Sequence, residues 1–353
     1  MLKVYAGETA RKNLQDGGIT ADHFTTFLGA SGGPKWFSLY GLDRYLFGDF
    51  FAQRKQPLDI IGSSAGAFRA ACFAQANPVQ AIERLAYDYS RTRYSEKVTA
   101  AEISSKARVL LDQMLGDNGA TEIINNTVFR AHFIVARVNG LAASENKYAQ
   151  LIGLTKSYLV NRVNRRYINA QYHRVIYQNP NSTIKIGDNY GFPTEHIDLS
   201  SENLKDALLA SGSIPIVMQG ISDIAGSPRG MYRDGGIIDY HFDIDIDTTP
   251  SSERGLILYP HFSHSPKAGW FDKSLKRGID AANYDRTVML VPSEEFVAQL
   301  PYGKIPDRED FTKMDSDQRI RYWSQVLAQT EKLADDFDEF INNSHSKTIF
   351  NFT

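Results

Sequence analysis

The feature that most constrains this chain is a short glycine–serine pattern at residues 62–66 (GSSAG), which follows the apolar run LDII at residues 58–61. The run suits a buried strand, and the small and apolar residues 67–74 suit a helix. Gly62 and Gly66 leave room for a sharp turn because neither carries a side chain that would crowd a strained backbone. The order strand, turn, helix is typical of an α/β fold.

Ser64 is predicted at the apex of this turn, with its hydroxyl group exposed. It also begins the predicted helix, where free backbone N–H groups favour developing negative charge. Ser63 precedes it but does not occupy the middle position of the G-x-S-x-G pattern. The pattern therefore predicts an acyl-transferring hydrolase in which Ser64 is the nucleophile.

The composition is that of a soluble globular protein. The chain has 353 residues, of which 42% are hydrophobic and 23% are charged, and its formal net charge is −2. A charge so close to zero points neither to a nucleic-acid partner nor to strong attraction to anionic membranes. The one cysteine, Cys72, cannot form an internal disulfide, and no apolar stretch resembles a signal peptide or a membrane span. We expect a cytoplasmic protein.

The elements around the pattern predict a parallel sheet. A strand at residues 23–28, a helix at 35–51 and the strand at 58–61 form a right-handed parallel crossover. Further strands are predicted at residues 132–138, 174–177, 230–233, 255–259 and 287–291. Further helices are predicted at about 78–130, 203–210 and 317–342.

A glycine-rich loop after the first of these strands offers backbone donors. Ser31, Gly32 and Gly33 can turn successive N–H groups into one concavity, since glycine accepts unusual backbone angles. Pro34 has no N–H to donate, but its fixed φ suits the start of a helix. We expect this loop to be an oxyanion hole, with Ser31 and Lys35 as further anion or substrate contacts.

The residues alone leave two arrangements open for the general base. His261 and His264 follow Asp234 in the chain, which is the order of a Ser-Asp-His triad in an α/β-hydrolase. Alternatively, Asp234 accepts the serine proton directly. A free aspartate has a pKa of about 3.9, so this role requires burial beside Ser64 to raise the pKa of the carboxyl group.

In their order along the chain, these motifs resemble those of the patatin-like lipid acyl hydrolases. That family has a glycine-rich loop ending in a basic residue, a G-x-S-x-G turn and a D-G-G or D-G-A aspartate. The residues that carry the resemblance are Ser31, Gly32, Gly33, Pro34 and Lys35, then Gly62, Ser64 and Gly66, then Asp234, Gly235 and Gly236. Residues 207–215 are similar to the family's helix-then-proline segment. Ser31 and Trp36 depart from the family pattern, which usually has glycine and a small residue there.

The resemblance covers roughly residues 20–245. It implies a three-layer α/β/α fold with a mostly parallel central sheet, in a single domain over residues 1–353. Within this domain we expect a lid-like insertion at about 95–195 and a C-terminal helical segment at about 301–353.

The resemblance also implies a chemistry. A Ser64–Asp234 dyad without histidine, with Gly32 and Gly33 as the oxyanion site, would hydrolyse acyl esters of lipids as a phospholipase A or lysophospholipase does. Two alternatives are a Ser-Asp-His esterase or thioesterase acting on soluble acyl esters, and a catalytically silent lipid-binding protein on the same scaffold.

Neither a cofactor nor a metal ion is expected. Asp243, Asp245 and Asp247 alternate, but a solvated strand edge accounts for them better than a metal site, since the set lacks the loop glycine and closing glutamate of a calcium-binding loop. The predicted partners are a lipid or acyl-ester substrate and, transiently, a membrane surface, with no nucleic acid.

The segment at residues 145–173 is rich in tyrosine and strongly basic. Its charged residues are Lys147, Lys156, Arg162, Arg165 and Arg166 against Glu145 alone. A solvated helix face explains this composition, and the alternative is a lid that touches lipid head groups.

Overall fold

The computed structural model describes residues 1–17, 19–247, 255–343 and 348–352. Its strands are β1 (Leu2–Ala6), β2 (Phe24–Gly29), β3 (Leu58–Ser63), β4 (Phe129–Val138), β5 (Tyr172–Gln178), β6 (Lys185–Gly187), β7 (Thr194–Asp198), β8 (Ile221–Ser222), β9 (Met231–Asp234), β10 (Asp245–Asp247), β11 (Leu256–Pro260), β12 (Thr287–Pro292) and β13 (Ile349–Phe350). Its α-helices are α1 (Glu8–Gly17), α2 (Tyr40–Tyr45), α3 (Ala65–Phe73), α4 (Pro78–Arg91), α5 (Ala100–Leu115), α6 (Gly119–Asn125), α7 (Lys147–Val163), α8 (Leu204–Gly212), α9 (Glu294–Gln299), α10 (Asp310–Lys313), α11 (Ser316–Gln329) and α12 (Glu331–Asn342).

One mixed sheet forms the centre of the molecule, in the order β13-β1-β12-β11-β2-β3-β4-β5-β7. The inner strands β12, β11, β2, β3 and β4 run parallel to one another. Alternate residues of these strands enter two different cores: Ile60 lies in the larger one, which the helices cover, and Ile61 lies in a smaller one on the other face. The predicted α/β fold with a mostly parallel central sheet is confirmed.

The long strand β4 brings two distant parts of the chain together. β3 runs parallel to β4, and its last residue, Ser63, pairs with Ile134. β9 runs antiparallel to β4, and its last residue, Asp234, pairs with Val135. Because Ile134 and Val135 are neighbours, the carboxyl ends of β3 and β9 face each other along the same edge of β4. Ser64, the residue after β3, therefore lies beside Asp234.

A buried ion pair fixes the helix that follows Ser64. Arg69 in α3 donates two hydrogen bonds to Asp43 in α2, of 2.8 and 2.6 Å. Both side chains are almost fully buried. This bidentate pair ties α3 to α2 beneath the turn.

The predicted helix over residues 317–342 is in fact two helices, α11 and α12, that meet at Thr330. The Thr330 hydroxyl donates to the carbonyl of Leu327 and accepts from the amide of Gly41. A Cβ on Gly41 would lie 2.5 Å from the Thr330 backbone, so α2 touches the break directly. The prediction of one helix was wrong because apolar spacing continues across Thr330 while this contact interrupts the helix.

The helix predicted at residues 35–51 also divides, into a 3₁₀ turn (Gly33–Leu39), α2 and a π turn (Leu46–Phe50). The helical region predicted at about 78–130 consists of α4, α5 and α6 and ends before β4 begins at Phe129. No helix in the described ranges is long and apolar enough to cross a membrane.

Asp243 is not part of a solvated edge, which corrects that expectation. Its side chain is 2% exposed and accepts hydrogen bonds from the Tyr190 hydroxyl, the Asn283 amide and the Asp280 N–H. These three donors compensate the buried carboxylate. Among the described residues, no cluster of histidine, cysteine, aspartate or glutamate has the arrangement of a metal site.

Candidate active site

Ser64 occupies the turn between β3 and α3 in a strained backbone conformation, with φ 53° and ψ −123°. Its N–H donates to the Ser211 hydroxyl over 3.0 Å, and that hydroxyl donates to the carbonyl of Ile134 in β4. A Cβ on Gly66 would lie 1.7 Å from the Gly29 carbonyl oxygen, so only glycine allows this close approach. Contacts with β4 and β2 therefore hold the turn.

Asp234 contacts the Ser64 hydroxyl directly. Ser64 Oγ donates to Asp234 Oδ2 over 2.9 Å, and Gly236 N–H donates to Oδ1 over 2.7 Å. The Asp234 N–H in turn donates to the Ser213 carbonyl, which fixes the backbone that carries the carboxylate. Ser64 is 4% exposed and Asp234 is 6% exposed. Both carboxylate oxygens are thus engaged, one of them with the serine hydroxyl.

Burial raises the pKa of Asp234 above its ordinary value. The charge of Arg308, the hydrogen bonds from Gly236 and Ser64, and the charge of Lys273 oppose this effect because each stabilises the ionised carboxylate. A carboxylate with a raised pKa accepts a proton near neutral pH more readily than a solvated one does. The arrangement can therefore activate a serine hydroxyl without an intervening imidazole.

The glycine-rich loop follows β2, whose last residue, Gly29, pairs with Gly62 beside the serine turn. Within the described ranges, the N–H groups of Gly32 and Gly33 donate to no other group. Gly33 adopts a left-handed φ of +57°, which glycine accepts readily, and it begins the 3₁₀ turn over Gly33–Leu39. Lys35, in the same turn, pairs with Asp307 over 3.3 Å. Two free amides and a nearby ammonium group make this loop suited to a developing oxyanion.

Ser31 lies beneath the loop and not at its surface. It is fully buried, and its hydroxyl is hydrogen-bonded to the hydroxyl and the carbonyl oxygen of Ser63, at 3.0 and 3.2 Å. Its N–H donates to the Tyr240 carbonyl. The hydroxyl of Ser31 therefore joins the loop to the end of β3, a positioning role that differs from the substrate contact expected from the sequence.

The remaining glycines of the motifs lie where chains pass close to one another. A Cβ would come within 2.6 Å of another residue's oxygen atom at Gly62, Gly235 and Gly236. The neighbouring oxygens belong to the Gly66 carbonyl, the Ile134 carbonyl and the Ser31 hydroxyl respectively. These close approaches hold both turns against the strand ends.

Neither candidate histidine lies between the serine and the aspartate. His261 is fully buried, and its Nδ1 accepts from the Ser263 N–H at 2.9 Å. Burial lowers the pKa of His261 to about 3, which keeps the ring neutral. His264 is exposed and stacks on Tyr5. The arrangement of a Ser-Asp-His triad is therefore not formed.

Two cations near the site, Lys273 and Arg308, were not predicted because neither lies in a sequence motif. Lys273 Nζ lies 3.9 Å from the centre of the Tyr240 ring. The side chain of Arg308 covers Gly33, because a Cβ on that glycine would lie 2.9 Å from Arg308 Nε. Both residues lie in irregular segments beyond the part of the chain that resembles the family.

Comparisons with known proteins place the chain in a family. The family model described as patatin-like phospholipase matches residues 30–242. No curated protein matches the sequence. Among solved structures, the chain is similar to VipD from Legionella pneumophila, with 12% identity and a TM-score of 0.41 over 95% of this chain and 70% of that one. It is also similar to human GIVD cytosolic phospholipase A2, with 10% identity and a TM-score of 0.36 over 95% of this chain and 61% of that one.

The matched range contains the glycine-rich loop, Ser64 and Asp234, and it spans more than half of the chain. The chain belongs to the patatin-like phospholipase family and is a hydrolase of ester bonds in lipids.

Proposed function

We propose that the chain is a serine lipid acyl hydrolase of the phospholipase A or lysophospholipase type, in which Ser64 and Asp234 form the catalytic dyad. The observation that carries the proposal is the 2.9 Å hydrogen bond from Ser64 Oγ to Asp234 Oδ2. The free amides of Gly32 and Gly33 at the neighbouring strand end support it.

The first half of the proposed reaction acylates the serine. Ser64 Oγ attacks the ester carbonyl while Asp234 takes the hydroxyl proton, and the Gly32 and Gly33 N–H groups bind the oxyanion of the tetrahedral intermediate. Asp234 then gives the proton to the departing alcohol as the ester bond breaks. An acyl group remains on Ser64.

The second half releases the acyl group. Asp234 takes a proton from a water molecule, and the oxygen of that water attacks the acyl carbonyl. Collapse of the second tetrahedral intermediate returns the proton to Ser64 Oγ and frees a fatty acid. Both halves use the same aspartate and the same two amides, and no step requires a histidine.

Product analysis of a mixed lipid extract tests this function. The wild-type protein should release free fatty acid and the matching lysolipid or glycerol derivative, and Ser64→Ala should release neither. Ser105→Ala, at an exposed position of α5, serves as the matched control and should behave as the wild type. Equal product release by wild type and Ser64→Ala would exclude the proposal, and a lack of any hydrolysis by folded wild-type protein would favour the silent binding protein.

We further propose that the outward face of α7 contacts an anionic lipid surface from the cytoplasm. Five large apolar side chains on this helix are each more than half exposed, namely Tyr148, Leu151, Ile152, Leu159 and Val163. The exposed cations Lys147, Lys156, Arg162 and Arg166 lie on or beside the same helix. An apolar stripe with basic residues around it is typical of helices that lie in a bilayer interface.

The inner face of α7 and the 3₁₀ turn that follows it, Arg165–Ala170, connect this surface to the site. Asn161 and Arg165 both donate to Asp272, over 2.8 and 3.1 Å, and Arg165 also donates to the Ile238 carbonyl just beyond the aspartate turn. Asp272 immediately precedes Lys273. A membrane bound to the outer face would thus contact the helix whose inner face holds Asp272, next to Lys273 at the edge of the site.

Sedimentation with vesicles tests this contact. The wild type should bind vesicles of phosphatidylglycerol and phosphatidylcholine, and Ile152→Glu should bind about tenfold less, since it places a negative charge within the apolar stripe. Tyr87→Glu, on the equally exposed surface of α4, is the control and should bind as the wild type does. If Ile152→Glu binds vesicles as well as the wild type does, the proposed face is wrong. If the wild type binds a partner protein through this face but does not bind vesicles, the face is a protein interface instead.

A further inference from the structure

Three cations from separate segments converge beside the dyad. Lys35 follows the glycine-rich loop, Lys273 follows a 3₁₀ turn over Trp270–Asp272, and Arg308 comes from the segment before α10. The charges of Arg308 and Lys273 both act on Asp234, and those of Arg308 and Lys35 both act on Lys273. The three cations are therefore within electrostatic range of one another and of Asp234.

The carboxylates nearby do not balance these charges. Asp307 pairs with Lys35, and Asp234 is engaged with Ser64 and Gly236. Across the described part of the chain, neither Lys273 nor Arg308 forms an ion pair or a hydrogen bond with a carboxylate. The edge of the site formed by Lys35, Lys273 and Arg308, which we call the rim, thus has excess positive charge.

Buried arginines elsewhere in the protein have partners within the protein. Arg319 donates to the backbone carbonyls of Ser90 and Thr92, and others pair with aspartates. Each of Arg69, Arg165 and Arg174 forms an ion pair with an aspartate within 3.1 Å. Unpaired like charges that lie close together repel each other and so lower the stability of the fold. A bound anion would remove this repulsion. The contrast indicates that the missing counter-ion at the rim comes from a ligand.

The position of Arg308 shows where that anion would lie. Its side chain covers Gly33, whose N–H group we assign to the oxyanion site. Arg308 is half-buried and Lys273 is solvent-accessible, so a ligand can reach both. In a glycerophospholipid, the phosphate and the acyl esters are attached to one glycerol unit, and a phosphate at this rim would present a neighbouring ester carbonyl to Ser64.

We propose that Lys273 and Arg308, with Lys35, form an anion subsite that binds the phosphate of a glycerophospholipid and selects lipids whose head group has net negative charge. This proposal rests on the function proposed above and deepens it. A phosphomonoester satisfies the excess charge fully, whereas a zwitterionic head group brings a cation into the same positive field. Neutral glycerides gain nothing from the three cations.

The direct test measures binding on the Ser64→Ala protein, which needs no turnover. Lysophosphatidate, lysophosphatidylcholine and monoacylglycerol of one acyl chain are titrated below their critical micelle concentrations. Lysophosphatidate should bind most tightly, and Arg308→Gln and Lys273→Gln should each weaken it about tenfold relative to monoacylglycerol, as expected for a lost charge-assisted hydrogen bond. Equal affinity for all three lipids, or equal losses for all of them, would overturn the proposal.

Controls separate this outcome from misfolding and from failure of the enzymatic function. Lys276→Gln removes an exposed lysine from the same loop and should leave lipid affinities unchanged. Arg308→Lys retains the charge and should keep most of the preference. Inorganic phosphate that binds in an Arg308-dependent way, without any preference for lysophosphatidate, would show a site for free phosphate and so contradict the lipid subsite.

Discussion

The dyad and the cationic rim above it are built in different ways. Ser64 and Asp234 are positioned by two strand ends that meet on adjacent residues of β4. Backbone N–H groups in both turns donate to side chains, namely the Ser211 hydroxyl and the Asp234 carboxylate. Lys273 and Arg308 reach the same place on irregular segments outside any strand. In this protein the proposed reacting groups belong to the frame of the sheet, whereas the groups proposed to select the substrate belong to loops.

The largest effect on activity is expected when the Ser64–Asp234 pair is disrupted. Asp234→Asn keeps the shape of the side chain but removes the base, so kcat should fall about 10⁴-fold. The measurement is steady-state hydrolysis of a lysophospholipid, with circular dichroism to show an intact fold. Single His261→Ala and His264→Ala changes are the comparison, and each should keep near-normal kcat. A loss of about 10³-fold in either histidine variant would favour a triad instead.

Loss of the buried Asp43–Arg69 ion pair beneath the turn should lower the stability of the protein strongly. Asp43→Ala leaves the buried guanidinium of Arg69 without its partner, and the free energy of unfolding should fall by about 3–5 kcal/mol. Chemical denaturation checks this value. Asp317→Ala, which removes an exposed ion pair with Arg93, should leave the free energy of unfolding close to that of the wild type. Similar small losses in both variants would mean that the Asp43–Arg69 pair does not support the turn.

A smaller effect is expected at the hydroxyl that holds the turn of Ser64. Ser211→Ala removes the acceptor of the Ser64 N–H group and the donor to the Ile134 carbonyl, both of them buried. The free energy of unfolding should fall by about 1–3 kcal/mol, with a parallel loss of kcat as the strained turn relaxes. Ser211→Cys fills the same space and should lose less. Unchanged kcat in Ser211→Ala would show that this contact does not position the nucleophile.

The smallest effect concerns the rim and appears as a pH dependence. Desolvation by the surrounding protein atoms and the charge of Arg308 lower the pKa of Lys273 to about 7, although part of its side chain is solvent-accessible. The charges of Asp234 and Asp307 raise this pKa, and that of Lys35 lowers it further. Lys273 is therefore charged below about pH 7 and loses its charge above it. For lysophosphatidate, kcat/KM should decline up to about tenfold as the pH rises through 7, and Lys273→Gln should remove this decline.

The acid limb of the same profile reports the dyad. Because burial raises the pKa of Asp234, kcat/KM should fall on acidification at a pH above the pKa of a free aspartate, as the base becomes protonated. The acid limb should persist for monoacylglycerol, whereas the alkaline decline should not. An alkaline decline shared equally by both substrates would contradict a role of Lys273 in anion binding.

The proposed reacting groups could be identified in the sequence because each lies in a short motif with its own backbone requirement. Residues 62–66 need glycine for close approach, and residues 29–34 need it for a left-handed turn, so both patterns are visible in the sequence. That Asp234 contacts Ser64 depends on strand register along β4, which local patterns do not encode. The resemblance to a family supplied that pairing, and the structure supplied its geometry.

Other features had no local signal. The break at Thr330 depends on contact with Gly41 in α2, and the burial of Asp243 depends on donors from distant turns. Lys273 and Arg308 follow no motif, because a cation needs only its charge and its position to bind an anion. Their positions are set by the tertiary fold, so only the structure brings them to the site.

The central claim, that a carboxylate alone activates Ser64, is tested most directly by labelling with a serine-reactive phosphonate followed by mass spectrometry. The wild type should gain one phosphonyl group on Ser64, Asp234→Asn should label at least about 10³-fold more slowly, and His261→Ala should label at the wild-type rate. Labelling of another residue, or an unchanged rate in Asp234→Asn, would contradict the account.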